Sequence, residues 1–242
     1  GFAPNSYDGL SKHLKSKGFS DEEIQVAFLG RKMERNGRTW TNDMFRNRVI
    51  FPVINTTGDI IAFGGRVMDD SKPKYLNSSD TPVFKKSRNL FALNFARKAS
   101  AESLILCEGY MDVIALHSAG YETAVATLGT AITPEQARLM SRYTKKVIIS
   151  YDSDEAGQKA TNRTIEILKS TGMNIRVLRV DGAKDPDEYI KKFGAEKFRQ
   201  LIKGTVIVSF GTMGGCLFPQ FLCFFRQICG LFFFFDGIFH AQ

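Results

Sequence analysis

Lys146-Val147-Ile148-Ile149-Ser150-Tyr151-Asp152-Ser153-Asp154-Glu155-Ala156-Gly157 decides the fold class. Its β-branched run at 147–149 reads as a strand over 146–150. An acidic turn follows, then a helix over 156–170 with Ile165 and Leu168 on one face, stopped by Gly172. The same alternation extends both ways. Upstream, a strand at 103–107 precedes a helix at 111–118 ended by Gly120, and a strand at 123–126 precedes a helix capped by Thr133 with Pro134 in its first turn. Downstream, residues 174–180 read as a fourth strand. Short apolar strands alternating with helices predict an α/β unit, a parallel sheet covered by helices on both faces.

Residues 1 to about 100 read differently, as a mixture of helix and strand. Ser20 and Glu23 have capping-box spacing, which predicts a helix over 21–29. Strands are expected at 48–53 and 60–66, joined through Asn55-Thr56-Thr57-Gly58-Asp59. Near residue 204 the composition breaks. Residues 205–242 hold ten of the 21 phenylalanines and three of the four cysteines (Cys216, Cys223 and Cys229), with Arg226 and Asp236 as their only charges. No clean apolar span of about 20 residues occurs there, so a membrane anchor is poorly built. The tail is read as of unknown or artefactual origin and receives no function.

The chain has 242 residues, 43 % of them hydrophobic and 24 % charged, enough for a real core and not a disordered composition. It opens at Gly1-Phe2-Ala3-Pro4, which reads as a piece of something longer. Without a signal pattern or a cysteine framework, a reducing cytoplasmic location is expected. A net charge of +8 favours a polyanionic partner, nucleic acid first. Lys72, Lys74, Lys85, Lys86 and Arg88 are interleaved with Tyr75 and Phe84, a composition suited to phosphates and stacked bases or to a solvated basic loop.

Three acidic clusters follow strands of the second unit: Glu108 with Asp112, Asp152 with Asp154, and Asp185 with Asp187. Ligands of open parallel sheets bind beyond the carboxyl ends of the strands. Glu108 and Asp152 directly follow apolar strands and should enter one crevice, with Gly109 and Gly157 allowing close backbone approach. Converging carboxylates repel unless a cation lies between them, and oxygen-only ligands select Mg²⁺ or Mn²⁺. Singly, Asp-x-Asp is more often an N-cap, and Asp-Pro-Asp a loop into a helix. Three clusters at one sheet end favour a metal site. His13, His117 and His240 are scattered, which gives no support to a Ser-His-Asp hydrolase, and no phosphate-cradling Gly-x-x-x-x-Gly-Lys motif is present.

Glu108 with Asp152-x-Asp154 resembles the Toprim domain of primases, topoisomerases and some nucleases. Phe63-Gly64-Gly65-Arg66, Pro73-Lys74-Tyr75-Leu76-Asn77-Ser78, Phe84-Lys85-Lys86, Glu108-Gly109-Tyr110-Met111-Asp112 and Thr127-Leu128-Gly129-Thr130 together resemble, in order and spacing, the RNA polymerase core of bacterial DnaG-type primase. The resemblance covers about residues 1–204. It implies a mixed α/β DNA-binding part at 1–101, a Toprim catalytic domain at 102–184 and the start of a helical part at 185–204, followed by the tail at 205–242.

By the same resemblance, Glu108, Asp152 and Asp154 would hold two or more Mg²⁺ or Mn²⁺ ions, with Asp185 and Asp187 as a further acidic site and Asp112 as an active-site acid. Arg66, Lys74, Tyr75, Lys86 and Arg88 would serve template and nucleotide, with Lys74 and Lys86 counted among the catalytic set. The implied activity is nucleotidyl transfer, in which ribonucleoside triphosphates are joined into short primers on single-stranded DNA through an RNA–DNA hybrid. The implied state is a bacterial, cytoplasmic monomer without a membrane partner. The family's zinc ribbon and helicase-binding domain are not found in this sequence, so no zinc is expected and a replicative helicase would be met only through the absent domain. A Toprim nuclease or topoisomerase fragment, and a non-catalytic nucleic-acid-binding chain, are the alternatives.

Overall fold

A computed structural model describes residues 1–99 and 102–208. In chain order the elements are β1 (Phe2–Ala3), α1 (Gly9–Ser16), α2 (Asp21–Val26), β2 (Gly30–Arg35), β3 (Arg38–Asp43), β4 (Arg48–Ile54), β5 (Ile60–Val67), β6 (Tyr75–Asn77), a 3-10 turn (Lys86–Arg88), α3 (Leu93–Ala96), β7 (Leu104–Cys107), α4 (Tyr110–Ser118), β8 (Ala124–Ala126), α5 (Pro134–Ser141), β9 (Lys146–Ser150), α6 (Glu155–Lys169), β10 (Asn174–Val177), α7 (Pro186–Phe193), α8 (Ala195–Lys203) and β11 (Val206–Ile207). Among the described residues no helix is long and apolar enough to cross a membrane.

The amino-terminal part is built on an antiparallel sheet ordered β1-β4-β5-β6. The β4–β5 turn closes as expected: Asn55 Oδ1 accepts the backbone N–H groups of Thr57, Gly58 and Asp59, each at 2.9 Å. At α2 the capping box is complete. Ser20 Oγ accepts Glu23 N–H at 3.2 Å and Glu23 Oε2 accepts Ser20 N–H at 2.8 Å. The helix stops at Val26 instead of running to 29, because Phe28 adopts φ 58° and turns the chain into β2. Sequence reading missed the β2–β3 hairpin, although Asn36-Gly37 at its tip (φ 52° and 74°) is a strong hairpin signal. It also missed α1.

The second sheet is ordered β11-β10-β9-β7-β8, with β8, β7, β9 and β10 mutually parallel and β11 antiparallel to β10. Alternation along its strands feeds two cores. Leu104, Leu106, Val147 and Ile149 meet Met140 and Leu168 of α5 and α6. Ile105, Cys107 and Ile148 meet Val113 and Leu116 of α4 and Phe198 of α8. Both faces are thus covered, as the apolar strand runs predict. Strand β10 ends at Val177 instead of 180. Leu178 and Val180 are apolar because they fill the core under α7 and α8, not because they extend the ladder. Of the tail expectation, residues 205–208 fall within the structure, and Val208 N–H bonds Ile175 O at 2.9 Å. Residues 209–242 lie outside the described residues.

Candidate active site

From β7 the chain passes through α4 to β8 on one side, then returns through α5 to β9 on the other side of β7. The carboxyl ends of β7 and β9 are therefore the point where strand order reverses, the usual ligand crevice of such sheets. Glu108 follows β7 and Asp152 lies two residues beyond β9, whose ladder pairs Cys107 with Ser150. Glu108 Oε1 accepts the Asp152 N–H at 3.1 Å. Gly157 makes this turn possible. A Cβ there would lie 2.1 Å from the Asp152 carbonyl oxygen, so only glycine lets the first turn of α6 pack against it. Gly109 carries no such requirement, contrary to expectation, since its φ is −135° and an added Cβ would meet only Asp112 Oδ2, at 3.5 Å.

Burial and like charge set the electrostatics. Glu108 titrates above the usual range, first because it is half-buried and then because Asp152 is near. Asp152 is raised by burial and by Asp185. Asp112, which accepts Gly109 N–H at 3.2 Å, is pushed up to about 7 by burial, with Asp152 and Asp185 adding to it. Lys184 opposes the rise at both Glu108 and Asp152. Its carbonyl accepts Ser153 N–H at 3.0 Å, which ties the second acidic cluster to the third.

The structure brings Glu108, Asp112, Asp152 and Asp185 into one field but does not aim every candidate carboxylate at one point. Asp154 caps α6, accepting Gly157 N–H at 2.8 Å, and Asp185 caps α7, accepting Glu188 N–H at 2.8 Å. Asp187 pairs with Lys191 at 2.6 Å. The segment bends at Ser153-Asp154, so the extended geometry expected of Asp152-x-Asp154 does not form. Among the described residues no three His, Cys, Asp or Glu side chains are gathered as a metal-binding group. The donor chemistry nevertheless fits a hard ion. Glu108 and Asp152 offer only oxygens and repel each other, and Mg²⁺ is usually held by one or two carboxylates, completed by water and substrate phosphates.

The cationic candidates lie on β5, just ahead of β6 and on the 3-10 turn. Arg66 stands opposite Tyr75 across the β5–β6 ladder, with its guanidinium 5.9 Å from the ring centre. It does not pair with Asp69, which accepts instead from Asn47 and Ser71. Arg66 Nε is buried without a hydrogen-bond partner. The exposed Tyr75 phenol is raised chiefly by partial burial, and the charge of Asp112 adds to the rise, which links this edge to the carboxylates. Lys74 is exposed, and its carbonyl accepts from Arg48 Nη1 at 3.4 Å. Lys86 is fixed through its backbone, N–H to Asp80 Oδ1 at 3.0 Å and carbonyl to Gln136 Nε2 at 2.9 Å, leaving its ammonium without an ion pair among the described residues. Arg88 is exposed at the end of the same turn.

Tyr110 joins the two halves of the site. Its ring stacks on Phe51 at 5.6 Å and meets Phe91 edge-on at 4.5 Å. Gly64 leaves room for it, since a Cβ there would lie 2.7 Å from the ring. Its hydroxyl donates to Asn77 Oδ1 at 2.8 Å, and Asn77 Nδ2 donates to Leu128 O at 3.1 Å. Lys184, Asn77 and Arg48 were not singled out in the sequence. Lys184 was flagged only by its place before Asp185-Pro186-Asp187, and Asn77 by its place in the 73–78 string.

Two family models match the chain, "DNA primase catalytic core, N-terminal domain" over residues 1–97 and "Toprim-like" over residues 105–190. The DNA primase of Clostridium acetobutylicum is 47 % identical over 209 residues, 86 % of this chain and 34 % of that protein. The chain spans about a third of the length of the curated relatives it matches. A DNA primase domain from Pseudomonas aeruginosa superposes with a TM-score of 0.79 at 37 % identity, over 96 % of this chain and 70 % of that one. A DnaG primase catalytic domain bound to ssDNA superposes with a TM-score of 0.77 at 36 % identity, over 86 % of this chain and 65 % of that one. The primase-specific match of residues 1–97 separates the chain from the nucleases and topoisomerases that also carry Toprim domains, and the chain belongs to the DnaG-type DNA primase family, whose catalytic core with its Toprim domain it carries.

Proposed function

We propose that this chain polymerises ribonucleotides into primers on a single-stranded DNA template. The observation that carries this reading is the Glu108–Asp152 pair at the strand-order reversal, in a sheet whose helix α4 is joined through Tyr110 and Asn77 to the strand that carries Tyr75. Glu108 and Asp152 hold the divalent ions in this reading, joined by Asp154 when substrate is present, while Asp185 and Asp187 bound a further acidic site. Mg²⁺ or Mn²⁺ bound there would favour ionisation of the attacking 3′-hydroxyl and neutralise the departing pyrophosphate.

The chain's own groups do the rest. Lys74, Lys86 and Arg88 bind template and triphosphate oxygens. Arg66 is held against Tyr75 and supplies its positive charge to a phosphate, and the exposed Tyr75 ring offers a face to a base or ribose. Asp112 keeps the loop after β7 in place by holding Gly109 N–H, and so positions Glu108. The hybrid of new RNA and template would lie along the same cationic edge. The test is incorporation of labelled ribonucleotides on single-stranded DNA with Mg²⁺ or Mn²⁺, beside Asp152→Ala. Product from the first and none from the second is expected; equal product from both would remove Asp152 from the chemistry.

A further inference from the structure

The β2–β3 hairpin takes no part in the site above. In an antiparallel ladder, residues directly opposite share a face, and so do alternate residues along each strand. The register Arg31↔Asn42, Met33↔Trp40 and Arg35↔Arg38 therefore puts these six residues on one face. The other face is anchored. Thr41 is buried there and accepts from Gln25 Nε2 at 2.8 Å. Gly30 is packed so closely that a Cβ would lie 2.3 Å from the Thr41 methyl group and 2.8 Å from that of Ile24.

The first face has three arginines, no acid and the chain's only tryptophan, which is 41 % exposed. The indole Nε1–H donates to Asn42 Oδ1 at 2.9 Å, which holds the ring in place. Arg31, Arg35 and Arg38 form no ion pair among the described residues. Arg35, Arg38 and Trp40 line a concavity with Asn36 at the hairpin tip. A flat, fixed aromatic flanked by unneutralised guanidinium groups matches the alternation of base and phosphate along a single strand.

We propose that this face is a second binding surface for single-stranded DNA, with a base stacked on Trp40 and the adjacent phosphates on Arg35 and Arg38. Arg31 extends the cationic track along β2. The choice of DNA as the strand rests on the primase reading, and the surface deepens that reading by adding a template contact away from the carboxylates.

Because Trp40 is the only tryptophan, its emission reports this face alone. The full chain is titrated with oligo-dT of about 20 nucleotides, a length that spans one or more single-strand sites. Trp40 emission and the anisotropy of an end-labelled copy are followed together. Saturable quenching with the same midpoint as the anisotropy rise is expected. Trp40→Ala should weaken binding roughly 5- to 150-fold, the range for losing one base–aromatic stack, and Trp40→Phe should recover most of it. Arg35→Ser with Arg38→Ser should reduce the salt slope of binding by roughly 1.4, two single-strand phosphate contacts. Circular dichroism on all three variants checks folding.

Anisotropy that rises while Trp40 emission stays still, with Trp40→Ala and the double serine variant binding as the parent does, overturns the surface and leaves the primase reading intact. Quenching by oligo-U but not by oligo-dT overturns DNA as the ligand. No binding of either strand by anisotropy overturns the surface and the template reading together.

Discussion

The Tyr110 hydroxyl donates to Asn77 Oδ1 at 2.8 Å, so a residue at the head of α4 is hydrogen-bonded to the last residue of β6 in the other sheet. Both belong to strings that carry the family resemblance, and their contact shows a physical reason for those strings: they lock the cationic edge to the carboxylate edge. Tyr110→Phe leaves Asn77 Oδ1 short of a donor and should cost about 1–2 kcal/mol. Gly64→Ala puts a methyl group 2.7 Å from the Tyr110 ring and should cost about 1–3 kcal/mol by overpacking. Urea unfolding of each variant measures both costs; unchanged midpoints would mean that the joint tolerates what its geometry forbids.

Asp112 gives a pH prediction. Its folded-state pKa, about 7, lies above the ordinary value of 3.8, so the protonated acid is the form that suits the fold. Its contribution to stability is complete below pH 3.8 and is lost as pH rises through 7. In divalent-free buffer, Asp112→Asn should therefore gain stability relative to the parent on going from mildly acid to mildly alkaline pH, by roughly 2 kcal/mol. Thermal melts across that range read the difference directly, and a gain independent of pH would contradict the assignment.

Asp154 has two candidate roles, cap and ligand, which substitution can separate. Asp154→Ala should lose about 1 kcal/mol of stability with the cap. Asp154→Asn keeps a capping oxygen and should hold stability within about 0.5 kcal/mol. If Asp154 also joins the ions, the Asn variant melts as the parent does yet makes no primer. Primer synthesis at parental rate by Asp154→Asn would restrict the residue to its helix.

Lys86 is held by its backbone, and its ammonium forms no ion pair among the described residues. Lys86→Ala should weaken binding of single-stranded DNA and flatten the salt dependence by about 0.7, one phosphate contact. Identical slopes for parent and variant would return Lys86 to the solvated surface.

The parts of the fold that rest on one-dimensional pattern were legible in the sequence. Val147-Ile148-Ile149 lies in a strand covered on both faces, the Ser20–Glu23 spacing forms a complete cap, and Thr133 caps its helix with Pro134 in the first turn. Other parts depend on tertiary facts. Phe28 takes a left-handed conformation that its side chain disfavours, which ends α2 early. Leu178 and Val180 look like strand and serve as filling beneath two helices. At the site, the positions of Glu108 and Asp152 followed from the strand–helix alternation. The bend that turns Asp154 onto its own helix did not, because Asp-x-Asp has the same letters whether it is extended or capping.

Residues 90–96 fall within the amino-terminal family match yet are built into the other sheet. Phe91 bridges to Ala126 at the edge of β8, with N–H···O distances of 2.8 and 3.3 Å, and Leu90, Leu93 and Ala96 fill the core beneath β7. For anyone exchanging catalytic modules between relatives, the seam in the family matches is thus the wrong place to cut. A chimera spliced near residue 101 would replace the strip that seals the β8 edge with a foreign one, whereas a splice ahead of residue 84 moves the seal along with the sheet it closes.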